Sequence, residues 1–548
     1  MNITAVPAPA AVRTTEERFR LDARTTVHAD ATVRDIADRL RQHLSASTGL
    51  PLASADGDAG TNVIRLRIDA SLNREEYRLS VRGDAVTIVG GAPAGVFHGT
   101  QTLRQLLPPA TLRRAPLSIR DDDALTIPGC EIVDAPAYRW RGLMLDTVRH
   151  FTEVREILRI IDLLALHHMN VLHLHLTDDQ GWRLEVRGYP LLTEIGAWRP
   201  STQVGRGEES GTPHGGYYTQ DDIREIVAYA AARHITVVPE IESPGHARAA
   251  LAAYPEFAVA GTAPEGVWTR WGISDDVFSV EEETIDFLCD VLDEVMDLFP
   301  SPYIGIGGDE CPKTRWRDDP RTQERMRELG LDDEEQLQAW FVGRLEVHVR
   351  ARGRRIFGWD EILEGGASGG FGAGTAVASW RGEIGARVAV KRGFDVVACP
   401  ADQVYLDYRQ SESDDEPIPT GIPLGWRDVY RFEPTPSGLT TEEADRVLGG
   451  QGNLWTEFID SPQRIDYMLF PRLGALAEVL WTGARRRIDD FERRLPEYTD
   501  RLEALGVAYR RETGPRPWER RPGIPGSTRT REELAEHLAR ITASIADA

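Results

Sequence analysis

The runs GLMLD (142–146), NVLHLHL (170–176) and ITVVPEI (235–241) are short and apolar, and five similar runs follow them. These are YIGIGG (303–308), RIFGW (355–359), AVASW (376–380), DVVACP (395–400) and VLGGQGN (447–453). Apolar residues at helical spacing lie between them, first at Val154, Ile157, Leu158, Ile161 and Leu164. About eight strands that alternate with helices predict a (β/α)₈ barrel. The alternative is a doubly wound sheet, which usually has a glycine-rich phosphate turn after its first strand, and none follows Leu145.

The sequence predicts three regions. Residues 1–136 are expected to form a small α/β (α+β) domain. In it we predict helices at 34–44 and 94–107, a strand at 63–69, and a hairpin at 77–90 that turns at Gly83-Asp84. The barrel is expected to occupy residues 137–495. Residues 496–548 are expected to form a helical tail that packs on or beside the barrel without catalytic residues.

Composition excludes several classes of protein. Among 548 residues, 64 Lys and Arg stand against 87 Asp and Glu, and the net charge of −23 disfavours nucleic acid and anionic membranes as partners. The four cysteines include no CxxC pair, so neither a disulfide scaffold nor a structural zinc site is expected. The N-terminus has no signal-peptide pattern, and no apolar run approaches the ~18 residues of a spanning helix. A cytoplasmic protein is therefore expected, although removal of a leader would leave the same pattern.

Polar and aromatic residues follow every predicted strand of the barrel. In chain order they are Asp146 and Arg149; Asp178 and Asp179; Glu242 and His246; Asp309 and Glu310; Trp359, Asp360 and Glu361; Trp380 and Arg381; Tyr405 and Asp407; Trp455 and Glu457. Barrel enzymes carry their active sites at these strand ends. Carboxylates with tryptophan and tyrosine suit a neutral ring rich in hydroxyls, whereas a phosphate would favour arginine, lysine and backbone amides.

Two motifs on this rim suggest different chemistry. The adjacent carboxylates of Asp309 and Glu310 are expected to share a proton, so that the pKa of one rises toward the range of a general acid. His173 and His175 face the same way on one predicted strand, and with Asp178 they could hold a metal in a metal-dependent barrel hydrolase. Later strands offer no second histidine pair. We therefore expect neither metal nor cofactor and keep the metal enzyme as the alternative.

The ordered motifs resemble the β-N-acetylhexosaminidases of glycoside hydrolase family 20. The matching stretches are LDTVRHF (145–151), HLHLTDDQGWRLE (173–185), VVPEIESPGH (237–246), GIGGDE (305–310), GWDEIL (358–363), SWRG (379–382), YLDY (405–408) and GNLWTE (452–457). The resemblance covers residues 138 to about 482, and GVFHGTQTLRQLL (95–107) is similar to the small domain that precedes these barrels.

This resemblance implies an exo-acting, retaining enzyme that releases terminal β-linked GlcNAc or GalNAc by substrate-assisted catalysis through an oxazolinium intermediate. Glu310 would be the general acid/base, Asp309 would hold the acetamido N–H, and Tyr405 would orient the acetamido oxygen. The resemblance also implies sugar contacts: O3 and O4 with Arg149, O4 and O6 with Asp407 and Glu457, and an apolar box of Trp359, Trp380 and Trp455.

The resemblance also implies that Asp178 and His246 lie behind Glu310, do not contact the sugar, and adjust the acidity of Glu310. The family usually has Asp where this chain has Glu242, so pairing of Glu242 with His246 is expected with a longer side chain. The glycine-rich segment 201–216 is expected to be a flexible lid or a spacer. A non-catalytic sugar-binding relative is the remaining alternative, and the joint presence of Asp309, Glu310 and Tyr405 argues against it. Sugar preference, the natural glycan and the oligomeric state are left open.

Overall fold

The N-terminal domain is a mixed sheet with helices. A computed structural model of the protein describes residues 3–54, 60–116, 125–366, 370–372, 374–418 and 420–546. The seven strands are β1 (Ala11–Arg20), β2 (Thr26–Ala29), β3 (Ala53–Ser54), β4 (Val63–Ile68), β5 (Tyr77–Val81), β6 (Ala85–Gly90) and β7 (Thr126–Asp134), in the order β1-β7-β5-β6-β4-β2-β3. Helices α1 (Arg34–Thr48) and α2 (Pro93–Leu106) confirm the two predicted helices, and β4 to β6 confirm the predicted strands and hairpin.

Eight parallel strands close into a barrel, as the eight apolar runs predicted. They are β8 (Trp140–Asp146), β9 (Val171–His175), β10 (Thr236–Ser243), β11 (Tyr303–Gly307), β12 (Arg355–Trp359), β13 (Ala376–Ser379), β14 (Asp395–Ala398) and β15 (Val447–Leu454). The closing pair is β15 with β8, where Gly449 lies opposite Trp140 and Leu454 opposite Leu145. The parallel register places all eight carboxyl ends on one rim.

Helices surround the barrel. Six of them follow β8, β9, β10, β11, β13 and β15, namely α3 (Val154–Leu166), α4 (Gln220–Ala231), α5 (Glu282–Leu298), α6 (Glu334–Ala351), α7 (Glu383–Lys391) and α8 (Arg472–Thr482). Two more, α9 (Ile488–Ala504) and α10 (Arg531–Ile541), lie in the C-terminal part of the chain, and α9 spans the predicted boundary at residue 495. Between β12 and β13 the described residues form only a short 3₁₀ helix, Asp360–Leu363.

The two domains share one hydrophobic core and a polar interface. Arg141 on β8 is fully buried and donates to Glu75 of the N-terminal domain at 2.6 Å. Trp481 on α8 donates to Asp134 at 2.9 Å. In the described part of the chain, no helix combines the length and apolarity needed to cross a bilayer. The expected cytoplasmic location stays a prediction.

Candidate functional site

The strand ends surround a pocket of about 270 Å³. All nine residues that we predicted to be catalytic or to bind substrate line it: Arg149, Asp309, Glu310, Trp359, Trp380, Tyr405, Asp407, Trp455 and Glu457. His246 lines it as well, whereas Asp178 and Glu242 lie behind the wall and are fully buried. Residues that end or follow seven of the eight strands therefore surround this one cavity.

Local backbone geometry presents Asp309 and Glu310 to this pocket. The chain leaves β11 through Gly307 and Gly308, with φ of 69° and 90°, and Glu310 itself has φ of 45°. Glycine adopts such left-handed angles without steric cost. At Gly307 a Cβ atom would also overlap the carboxyl group of Glu242, so the glycine is required for both reasons.

A network of charged groups supports the pair from behind, with Asp178 at its centre. The Asp178 carboxylate lies 2.8 Å from Arg149, 2.8 Å from His175 and 3.1 Å from Nδ1 of His246. The other ring nitrogen of His246, Nε2, lies 3.6 Å from both Asp309 Oδ2 and Glu310 Oε2. Asp178 therefore links an arginine of the pocket to the histidine behind the carboxylate pair.

These contacts fix the charges of the network. Burial opposes ionisation of Asp178, but Arg149 and His246 outweigh it and hold the Asp178 pKa well below its usual value. Burial would likewise lower the pKa of His246, but Asp178 raises it well above its usual value. The pKa of Asp309 rises to about 6, chiefly through burial. His246 therefore faces the carboxylate pair as a cation.

Glu242 is not the partner of His246 that the sequence led us to expect. Among the described residues, His246 Nδ1 contacts Asp178 and Asp179, and both carboxylate oxygens of Glu242 lack a hydrogen-bond partner. The longer side chain packs against Gly307 instead. Burial and the neighbouring Asp309 raise the pKa of Glu242 well above its usual value, which favours the neutral acid, although His175 Nδ1 lies 3.6 Å from Glu242 Oε1.

Aromatic rings form the walls of the pocket. The rings of Trp359 and Trp455 lie 5.8 Å apart, and Trp380 stacks on Tyr405 at 6.3 Å. The Trp380 indole donates to Glu361 at 2.9 Å, which fixes its orientation. Burial raises the pKa of Tyr405 well above its usual value, so its phenol keeps its proton and can donate a hydrogen bond.

Several buried polar atoms of the lining residues have no protein partner. Within the described ranges these include Asp309 Oδ1, Asp407 Oδ1 and the indole nitrogen of Trp359. A buried polar atom without a partner costs about 1–3 kcal/mol. The three residues line the pocket, so a polar ligand that binds there would lie close to these unpartnered atoms. Burial also raises the pKa values of Asp407 and Glu457, which lie near one another.

The ring nitrogens of His173 and His175 form hydrogen bonds with other side chains of the protein. Both contact Oε2 of Glu240, at 3.1 and 2.6 Å, and their other nitrogens contact Gln451 and Asp178. Two carboxylates bring the pKa of His175 to about 10 against the effect of burial. The spacing of His175, Glu240 and Glu242 is compatible with a metal ion, but these hydrogen bonds account for both histidines without one.

Sequence reasoning missed part of the pocket wall. Tyr408, Thr420 and Gly421 line it, and so do four residues of the C-terminal tail, namely Ser527, Arg529, Leu534 and His537. The tail is polar and lies far along the chain from the barrel motifs, so no local signal marked it. In segment 201–216, Gln203–Val204 pairs with Glu208–Glu209, and Arg206 donates to the Gly526 carbonyl at 2.6 Å. This segment therefore braces the tail.

A closed (β/α)₈ barrel with paired carboxylates and tryptophans around a pocket of about 270 Å³ is an arrangement typical of glycoside hydrolases. Residues 138–484 match the family model described as glycosyl hydrolase family 20, catalytic domain, and residues 2–135 match domain 2 of that family. The chain belongs to glycosyl hydrolase family 20.

Known relatives agree with this assignment. A β-hexosaminidase of Porphyromonas gingivalis is 40% identical over 516 residues, which are 92% of this chain and 64% of the relative, so the chain spans about two thirds of that protein. The crystal structure of a Vibrio harveyi exo β-N-acetylglucosaminidase in complex with N-acetylglucosamine has a TM-score of 0.82 at 33% identity, covering 93% of this chain and 78% of that one. A Streptomyces plicatus N-acetyl-β-hexosaminidase has a TM-score of 0.78 at 34% identity, covering 96% and 98%.

Proposed function

We propose that this protein is an exo-acting, retaining β-N-acetylhexosaminidase that releases terminal β-linked GlcNAc or GalNAc. The observation that carries the proposal is the placement of Asp309 and Glu310, side by side after β11, in a pocket of about 270 Å³ that Tyr405 also lines. The family and the sugar named for the Vibrio harveyi structure support this substrate class. The narrow pocket, with Arg149 held at 2.8 Å by Asp178, favours one terminal sugar over an internal one.

In the proposed reaction the substrate supplies the nucleophile. Glu310 protonates the leaving oxygen while the 2-acetamido oxygen attacks the anomeric carbon and forms the oxazolinium ion. Glu310 then removes a proton from the water that opens this ring, and the product keeps the β configuration. Asp309 accepts the acetamido N–H through Oδ1, which has no protein partner, and stabilises positive charge that grows on nitrogen. Tyr405 donates to the acetamido oxygen and holds it for attack.

The remaining lining residues bind the sugar. Arg149, Asp407 and Glu457 offer charged and polar atoms to O3, O4 and O6. The three tryptophans pack on the apolar C–H surface of the ring and the acetamido methyl. The proposal needs no metal, because carboxylates, a phenol and the substrate amide supply all the chemistry. Loss of turnover in EDTA with recovery in zinc would instead favour the metal-dependent alternative.

A series of N-fluoroacetyl substrates tests the nucleophile. Fluorine withdraws electrons from the acetamido oxygen and adds little bulk, so kcat should fall steeply from acetyl through mono-, di- and trifluoroacetyl 4-nitrophenyl β-glycosides. The first product observed by NMR should be the β-anomer. A flat series would mean that an enzyme carboxylate attacks, and Asp309, which lines the pocket beside Glu310, would then be examined first. The same assay with GlcNAc and GalNAc glycosides measures the sugar preference.

A further inference from the structure

The C-terminal segment reaches the mouth of the sugar pocket and is fastened there. On either side of Thr528, the Gly421 amide donates to the Ser527 carbonyl at 2.9 Å, and the Arg529 amide donates to the Gly421 carbonyl at 3.0 Å. Gly421 also lines the pocket. The family model for the catalytic domain ends at residue 484, so this wall is built by residues outside that match.

Helix α10 continues the wall by packing on aromatic residues of the site. Leu534 is 1% exposed and forms an apolar cluster with Ile422 and Leu538, and this cluster contacts Trp380 and Tyr408. Arg381, which follows β13, donates to the Ile541 carbonyl at 2.7 Å. These contacts hold α10 in place near its N-terminal end and at its C-terminal end.

Three polar residues of this segment, Ser527, Arg529 and His537, line the same pocket as Glu310. Glu310 must face the glycosidic oxygen to protonate it, so the leaving saccharide passes this carboxylate. Burial and the charge of Arg529 lower the pKa of His537, and the Glu310 carboxylate opposes that shift. His537 therefore lies within electrostatic reach of both groups and is a neutral imidazole that can bond a sugar hydroxyl.

Arg529 is the unusual charge at this mouth. The other two cations of the lining are paired: Arg149 with Asp146 and Asp178, and His246 with Asp178. Arg529 is exposed, and within the described part of the chain its guanidinium has no ion-pair partner. A free guanidinium beside the leaving group can bind a carboxylate or sulfate in a bidentate manner.

We propose that residues 527–537 form the aglycone-binding wall of this pocket, in which His537 and Arg529 contact the leaving saccharide and Arg529 selects aglycones that carry an acidic group. This inference rests on the proposed function, because it assigns the leaving-group side of the same site. The aglycone would then begin with an acidic sugar residue such as a hexuronic acid.

Two matched disaccharides test the proposal. One has β-GlcNAc linked to methyl glucuronide through O3, and the other has it linked to methyl glucoside in the same way. The wild-type kcat/KM should favour the glucuronide, and the preference should shrink as salt is raised from low to high concentration. R529A should reduce the preference about fivefold, and R529E should reverse it, because an exposed charge pair is worth up to about 1 kcal/mol. H537A should raise KM for both disaccharides.

R155E is the control, since Arg155 on α3 has a side chain 83% exposed and lies outside the pocket lining. It should keep the wild-type ratio. Melting temperatures of all variants identify any that fail to fold. A wild-type ratio near one, or a ratio that R529E leaves unchanged, would overturn the proposal. Failure of the wild-type enzyme to cleave 4-nitrophenyl β-GlcNAc would instead overturn the proposed function.

Discussion

Two residues that must meet at the site, Glu310 and His246, have backbone angles that side chains rarely adopt. Their φ values are 45° and 50°, and each such conformation costs about 1–3 kcal/mol. These conformations occur where the chain leaves β10 and β11, and His246 Nε2 lies 3.6 Å from Glu310 Oε2. Packing of the rim maintains a geometry that the local sequence disfavours, which is typical of catalytic positions.

Glu310→Gln tests the acid at this position. The amide cannot donate a proton in the same way, and general acids contribute about 10²–10⁴-fold. The loss should be greatest for disaccharides and smallest for 2,4-dinitrophenyl glycosides, whose leaving groups need little protonation. Rates across a series of leaving groups measure this slope. Equal losses across the series would remove Glu310 from the acid role.

The pH profile tests Asp309. Because its pKa is raised to about 6, the group gains a proton below that pH and can no longer stabilise charge on the acetamido nitrogen. With an activated aryl glycoside, kcat/KM should therefore fall as pH drops through about 6. Asp309→Asn should lose about 10²–10³-fold at pH 7 and should lose this acidic limb. An unchanged limb in the variant would assign it to another group.

Glu242 and Asp178 are both buried acids, but burial favours neutral Glu242 whereas Arg149 and His246 favour ionised Asp178. Glu242→Gln replaces a neutral acid by a neutral amide of the same shape, so kcat should change less than about threefold. Asp178→Asn removes the charge that faces Arg149 and His246, and kcat should fall about 10²-fold. Both kinetics and melting temperatures are measured. A large loss in Glu242→Gln alone would show that Glu242 works as an anion.

At the level of elements, strands were more predictable than contacts. Buried parallel strands consist of continuous apolar runs, so all eight barrel strands and their polar ends were visible in the sequence. Which side chains form hydrogen bonds at the strand ends depends on differences of one or two ångströms in where each side chain lies. That is why Asp178, and not Glu242, was found to hold His246. The tail on the pocket was invisible for a different reason, since its contacts are tertiary and largely through backbone atoms.

Substitution of Gly307 tests whether the close approach of Glu242 requires a glycine at the end of β11. An alanine there would take an unfavourable φ of 69° and would also overlap Glu242, so Gly307→Ala should destabilise the protein by about 3 kcal/mol or more. Gly330 is the control, because its φ is 68° and no atom would meet its Cβ. Gly330→Ala should cost only about 1–2 kcal/mol. Equal losses in denaturant unfolding would mean that the contact with Glu242 is unimportant.

At the scale of the whole molecule, the core that joins the two domains should make them unfold together. Arg141 is fully buried, and Glu75 of the other domain is its counter-ion at 2.6 Å. Glu75→Gln leaves that cation without a partner charge and should cost about 2 kcal/mol, less than a fully buried pair because Glu75 is partly exposed.

Glu17→Gln, which breaks an exposed contact with Arg82, is the control and should cost at most about 0.5 kcal/mol. Calorimetry should show one transition that moves as a unit in Glu75→Gln, because loss of the interface charge destabilises both domains through their common core. If a separate early transition appeared for the N-terminal domain, the interface would be a docking contact between independent units. The N-terminal domain would then stabilise the barrel only by binding to it, and removal of the domain would leave a folded barrel.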